Sequence, residues 1–270
     1  MSTRNLDLEV IEKALTSCPF GHPIFFRETL SSTQELAKEL ALSRAPEGAL
    51  VLAECQSNGR GRLGRRWFSP ERGGIYMSTI LRPTIPLSDA QLLSLAAAVA
   101  VSEAMGKVYG LAVQVKWPND ILYDQKKLCG ILGETTAVGE RVIYSIIGVG
   151  VNVNILPNLL PDELREQATS LCDILGHEVC REELVAAITK EIYRWTKETL
   201  YEGKKEELLH EYERRCGTLG QEVVVESGQK ALRGVAKAIG PDGALVVSTA
   251  EGDLSITAAA VYRLRTAKPI

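Results

Sequence analysis

Gly59-Arg60-Gly61-Arg62-Leu63-Gly64-Arg65-Arg66-Trp67 is the stretch whose interpretation separates the folds open to this chain. Its glycines satisfy G-x-G-x-x-G, the spacing of a dinucleotide-binding turn, and a strand-like run from Ala49 to Glu54 precedes it. The chain then continues into Trp67-Phe68-Ser69-Pro70 and Gly73-Gly74, with no helix whose N-terminus could receive a pyrophosphate. That context argues against a Rossmann site, and no G-x-x-x-x-G-K-[ST] loop occurs either. What remains is four arginines on a glycine-rich backbone, suited to gripping phosphate or carboxylate oxygens through forked guanidinium contacts. A solvated basic loop and a local nucleic-acid patch stay open as alternatives.

Outward from this loop the chain alternates strand and helix. Leu6 to Leu15 predicts a short amphipathic helix and Pro23 to Arg27 a strand. Ser32-Thr33-Gln34-Glu35 has capping-box spacing and opens a helix to about Ser43. Beyond the loop, Gly74 to Leu81 predicts a strand and Gln91 to Met105 an Ala/Leu-rich core helix. Strands come next at Val113 to Lys116, Lys127 to Glu134 and Val142 to Val153, then helices at Leu164 to Leu175, Glu182 to Gly203 and Lys204 to Cys216. From Gln221 short strands take over: QEVVVES, KALRGVAKAI, GALVVST and DLSITAAAVYRL, with a turn at Gly240-Pro241-Asp242-Gly243. The expected architecture is an α/β (α+β) domain over residues 1–217, a mixed central sheet with flanking helices, and a small β-barrel over 218–270.

Bulk properties narrow the function classes. The 270 residues, 45% hydrophobic, can bury a full core. Lys+Arg 31 against Asp+Glu 34 gives net charge −3, so any basic surface must be local. Six cysteines without a C-x-x-C pair predict free thiols in a reducing compartment. The N-terminus is charged and no apolar stretch looks long enough to cross a bilayer, which predicts a soluble, cytoplasmic protein.

Three further segments carry chemistry. In Lys116-Trp117-Pro118-Asn119-Asp120 the proline places Asn119 and Asp120 on a rigid turn past a strand end, where Asn can read a nucleotide and Asp can hold Mg2+. A plain hairpin turn accounts for the same residues. In Lys127-Leu128-Cys129-Gly130-Ile131-Leu132-Gly133-Glu134 a lysine in an apolar strand is costly to bury unless an anion meets it. Gly148-Val149-Gly150-Val151-Asn152-Val153-Asn154 puts two glycines in a β-branched strand, from close approach of a ligand or from tight packing. His22, His177 and His210 stand outside every cluster, and Cys55 and Cys129 beside these segments read as packing residues.

These four motifs in this order, preceded by Ser32-Thr33-Gln34 and Gln56, closely resemble the biotin–protein ligases, over about Ser31 to Leu171. The C-terminal strands look like that family's SH3-like barrel. Leu63 departs from the family's usual Arg, and Val149 and Val151 from its Ala/Ile-type residues; neither change removes a polar contact. The resemblance implies ATP-dependent formation of biotinyl-5′-AMP and transfer of biotin to a lysine of a biotin carboxyl carrier protein. Ser32, Thr33 and Gln56 would bind the biotin head, aided near Gly59, Arg60 and Gly130, with uncharged partners matching the ureido ring. Lys127 would meet the biotin carboxylate and the α-phosphate, and Arg62 and Arg65 would close over the phosphates. Trp67 would pack on adenine, Lys116, Asn119 and Asn152 would contact the nucleotide, Arg265 (or Arg263) would reach in from the C-terminal strands, and Asp120 would take Mg2+. Lipoate–protein ligase and a non-catalytic biotin-binding module are the rival functions. About thirty residues precede Ser32, too few for a helix-turn-helix domain, so no specific DNA binding is expected. No membrane partner is expected, and the sequence leaves open a homodimer.

Overall fold

The structure is a computed structural model that describes residues 5–227, 230–261 and 263–266. Helix α1 (Leu8–Leu15) starts where the Asp7 carboxylate accepts the Glu9 and Val10 N–H groups, and buries Ile11 and Leu15. Strand β1 (Ile24–Leu30), helix α2 (Thr33–Leu42) and strand β2 (Leu50–Gln56) form a unit whose two strands pair in parallel. The expected cap is there: Ser32 Oγ accepts the Gln34 N–H at 3.3 Å. Glu35 does not close the box; its carboxylate pairs with Arg60 at 2.6 Å.

Strands β3 (Gly74–Leu81), β4 (Gln114–Lys116), β5 (Asp120–Tyr123), β6 (Lys126–Val138) and β7 (Arg141–Asn152) complete a seven-stranded mixed sheet of order β1-β2-β3-β7-β6-β5-β4. Every pairing other than β1–β2 is antiparallel. Between β3 and β4 runs helix α3 (Ala90–Tyr109), ended by Gly110 at φ 68°. Leu87–Tyr109 is long and apolar enough to span a bilayer, which corrects the expectation that no such stretch exists. It is instead the central core helix, packed on the sheet and on the later helices.

The expected helix at 164–175 is two short ones, α4 (Asp162–Arg165) and α5 (Leu171–Leu175). Between them the chain is extended: Lys127 N–H donates to the Gln167 carbonyl at 2.7 Å, and Thr169 N–H donates to the Lys127 carbonyl at 3.0 Å. Helix α6 (Arg181–Tyr193) continues as a π-helical segment, Arg194–Leu200, and α7 (Lys205–Arg215) comes after it. On the opposite sheet face, α2 covers a smaller cluster of Val51, Ile80, Tyr144 and Ile146. That helix is shorter than the sheet is wide, and the uncovered part of the face is where a site can form.

Strands β8 (Glu222–Ser227), β9 (Lys230–Ile239), β10 (Leu245–Thr249), β11 (Gly252–Ile256) and β12 (Arg263–Thr266) form an antiparallel sheet of order β11-β10-β9-β8-β12. The expected last strand is broken after Ile256 by a single 3-10 turn, Ala258–Ala260. The Arg263 side chain, expected as the alternate to Arg265 at the nucleotide, lies outside the described residues.

Candidate active site

A row of residues paired across five strands lays out the floor. Tyr76 on β3 pairs with Gly150 on β7, Gly150 with Gly130 on β6, Gly130 with Asp120 on β5, and Asp120 with Lys116 on β4. Directly paired residues point to one side of a sheet, so this row shares a face. The next row, Ser78, Gly148 and Leu132, runs parallel to it. The glycines keep the middle low enough for other groups to sit on the backbone. A Cβ on Gly150 would lie 2.5 Å from Trp67 Nε1, one on Gly130 2.9 Å from Trp67 Cζ3, and one on Gly148 2.6 Å from Gln34 Oε1. In this state close packing by the chain's own Trp67 and Gln34 accounts for the glycines. Trp67 Nε1 is buried and has no acceptor among the described residues. Such an orphaned donor costs about 1–3 kcal/mol, which a ligand acceptor would offset.

Lys127 reaches this face through a bulge. Ile121 pairs with Cys129 and Leu122 with Lys127, so Leu128 is an extra residue in β6. Strict alternation from Gly130 would send Lys127 into the core; the bulge buries both Leu128 and Cys129 and turns Lys127 to the site. Its Nζ lies 2.6 Å from Asp120 Oδ1 and 5.2 Å from the Trp67 ring centroid. Asp120 Oδ1 accepts no aligned hydrogen bond among the described residues, so this is a close ion pair. Burial pushes the Cys129 thiol pKa up, in keeping with an inert packing residue.

The uncharged end of the site is a hydrogen-bonded chain. Gln56 Oε1 accepts from Thr33 N–H at 2.8 Å and from Thr33 Oγ1 at 3.2 Å. Gln56 Nε2 donates to Ser69 Oγ at 2.9 Å, and Ser69 Oγ donates to the Trp67 carbonyl at 3.0 Å. Ser78 Oγ donates to Thr33 Oγ1 at 2.9 Å. The sequence reading missed Ser69 and Ser78. For Ser78 a signal existed, a hydroxyl within the apolar run GIYMSTIL.

The arginine loop closes the other side. Gly59 lies behind the cavity wall, against Ser69 and the Trp67 carbonyl, so it shapes the loop without facing the cavity. Leu63 takes up a left-handed turn at φ 58°. Arg62 Nη2 donates to the Ala258 carbonyl at 2.5 Å and to the Val261 carbonyl at 3.5 Å, and Nη1 to Asn119 Oδ1 at 3.3 Å. Burial draws the Arg62 pKa down, against the opposing pull of Asp120. Asn119 Nδ2 donates to the Ile131 carbonyl at 2.8 Å, which locks the β4–β5 turn to β6; the hairpin and the site use the same residues. Asn152 is buried, and its amide donates to the Thr169 carbonyl at 3.0 Å and the Lys127 carbonyl at 3.5 Å, so it braces the Lys127 backbone. Arg265 pairs with Glu226 at 3.5 Å at the cavity rim.

Together these groups line one cavity of about 690 Å3. Its described lining holds Arg60, Arg62, Arg65, Arg66, Lys116, Lys127 and Arg265 against the carboxylates of Asp120 and Glu166. In a chain of net charge −3, that is a local concentration of positive potential facing an uncharged polar end. Such a cavity suits an elongated ligand with a neutral polar head and an anionic middle.

Comparison with known proteins bears on the family to which the chain belongs. The biotin/lipoate A/B protein ligase family matches residues 26–152, and the biotin protein ligase C terminal domain matches residues 218–263. A bifunctional ligase/repressor BirA of Bacillus subtilis is 49% identical over 161 residues, 60% of this chain; the match spans 50% of that protein's own length. The biotin--[acetyl-CoA-carboxylase] ligase of Paracoccus denitrificans is 32% identical over 84% of this chain and 95% of its own. Among solved structures, the biotin protein ligase from Aquifex aeolicus in complex with biotin and ATP superposes with a TM-score of 0.78 at 30% identity, covering 91% of this chain and 100% of that one. With the four motifs around one cavity and a near-complete match in length to the Paracoccus and Aquifex proteins, the chain belongs to the biotin protein ligase family.

Proposed function

We propose that this chain joins biotin to ATP as biotinyl-5′-AMP and then passes biotin to a lysine of a biotin carboxyl carrier protein. The observation that carries the reading is the single cavity with an uncharged polar end at Ser32, Thr33 and Gln56 and a cationic middle at Lys127, Arg62 and Arg65. A ureido ring offers two N–H donors and one carbonyl, which hydroxyl and amide partners satisfy without burying a charge. The Ser32 hydroxyl hydrogen is not consumed by its cap, so it can donate to that carbonyl. Three uncharged polar partners suit a ureido head better than the apolar dithiolane of lipoate.

In the first step a biotin carboxylate oxygen attacks the α-phosphorus and pyrophosphate leaves. Both reactants are anions, and Lys127 beside Trp67 stands where they meet, so its ammonium offsets their repulsion. Arg62 and Arg65 grip the phosphates, Trp67 gives the adenine a face, and Lys116 and Asn119 fix the nucleotide. Asp120, with a buried oxygen lacking an aligned donor, fits a Mg2+ held mainly by phosphates and water, and that ion would neutralise phosphate charge. In the second step the acceptor lysine amine attacks the mixed anhydride, AMP leaves, and the nitrogen sheds a proton to form the amide. The loop keeps water from the anhydride in the interval.

For the acceptor, β6 offers a place. Its pairing with β5 ends at Gly130, while β6 runs on to Val138, so its outer side is an open strand edge continuous with the site. Strand addition there would bring a carrier hairpin beside Lys127. The test is incubation with biotin, ATP, Mg2+ and a carboxyl carrier domain. Biotin on one carrier lysine, lost on mutation of that lysine, is the expected result; an unmodified carrier contradicts the proposal.

A further inference from the structure

The start of α3 touches the C-terminal sheet through a side chain outside the cavity. Gln91, in the first turn of α3, donates from Nε2 to the Gly243 carbonyl at 2.5 Å and accepts the Ala258 N–H on Oε1 at 3.1 Å. Trp117 Nε1 donates to the same Gly243 carbonyl at 3.1 Å. Gly243, at φ 85°, sits against Leu92 and Leu95, so the β9–β10 turn is pressed onto α3. Ala258 is thus held from two directions: its N–H by Gln91 and its carbonyl by Arg62. A lone 3-10 turn of three residues has weak internal hydrogen bonding and depends on such outside contacts. Because Ala258 opens that turn and Val261 closes it, its displacement removes both carbonyls from Arg62 at once.

We propose that Gln91 is a positioning residue for the Gly59–Trp67 loop: it fixes the Ala258–Ala260 turn against α3, and thereby holds the seat of Arg62 and sets how firmly the loop stays shut. That the loop encloses an acyl-adenylate rests on the proposed function; the seating of Arg62 does not.

Trypsin cutting of the ligand-free full chain reads the seat directly, because the loop carries four arginines. Cutting tracks the population of the open loop. Gln91→Ala should raise it about fivefold, the factor equal to about 1 kcal/mol. Ala258→Pro deletes the same bond from the other side while keeping the carbonyl. Thr257, at φ −77° and ψ 149°, already has the extended conformation required before a proline, and the first position of a helical turn tolerates proline. It should raise cutting similarly. In an Arg62→Gly background, where Arg60, Arg65 and Arg66 remain cleavable, Gln91→Ala should add nothing. With biotin and ATP present, Gln91→Ala should also raise labelling of a bystander protein about fivefold. Wild-type cutting rates in both single variants at unchanged melting temperature would overturn the proposal, as would additive effects of Gln91→Ala and Arg62→Gly. If the wild type forms no adenylate, the function fails and the cutting rates alone still decide the role of Gln91.

Discussion

Lys127 shows how one residue can be exposed to function by a local irregularity. Its ammonium is paired with Asp120 in the ligand-free chain, so an incoming carboxylate and phosphate exchange one anionic partner for others and no bare charge is buried. Lys127→Ala should abolish adenylate formation while leaving the fold intact, measured as biotin-dependent pyrophosphate release alongside a melting curve; near wild-type synthesis would make Lys127 structural. Arg62 belongs to retention. Its contacts span the turn at Asn119 and the C-terminal carbonyls, so it ties the loop down across the site. Arg62→Gly should leave the first step running, and loss of a charge-assisted contact of about 2 kcal/mol should speed escape of biotinyl-AMP roughly thirtyfold. The freed intermediate acylates lysines indiscriminately, so biotin on albumin measures it. Equal albumin labelling by both proteins, with synthesis intact, would show that Arg62 retains nothing.

At the scale of elements, helix α2 combines structure and recognition at its N-cap. Ser32 caps the helix and lines the cavity. Ser32→Ala should cost about 1 kcal/mol in denaturant unfolding and raise the KM for biotin; Ser32→Asp, an equally good cap, should restore stability but not biotin affinity. Recovery of both by Asp would reduce Ser32 to a cap. The elements also show how far sequence alone reaches. Most strands and long helices were legible from alternation and capping, and three of the four motifs meet because they sit on β4 to β7, strands that become neighbours, while the fourth is the loop that closes over them. What was hidden depends on tertiary pairing. The bulge at Leu128 is invisible in KLCGILGE, and β5 was hidden because Asn119-Asp120 reads as a turn until the hairpin around it is seen. The glycines of β7 were ambiguous between ligand and packing, and two residues distant in sequence, Trp67 over Gly150 and Gln34 over Gly148, resolve that in favour of packing in the free chain. The split of the expected helix at 164–175 comes from Gln167 and Thr169 pairing with Lys127, a contact no local pattern encodes.

At the scale of the molecule, the C-terminal sheet is coupled to the site by side chains from three directions. Gln91 and Trp117 hold Gly243, Arg62 holds the carbonyls of Ala258 and Val261, and Arg265 stands at the cavity rim. Removing Gln221 to Ile270 should therefore cost activity, not stability alone, and full activity of a soluble 1–220 fragment would refute that coupling. The central claim is that one cavity brings a biotin carboxylate and the α-phosphate of ATP together at Lys127. Isotope exchange between pyrophosphate and ATP tests it most directly, because it reports the first step without a carrier protein. The account predicts exchange that depends on biotin, is lost in Lys127→Ala and is absent with lipoate in place of biotin. Exchange that proceeds without biotin, or as fast with lipoate, would contradict it.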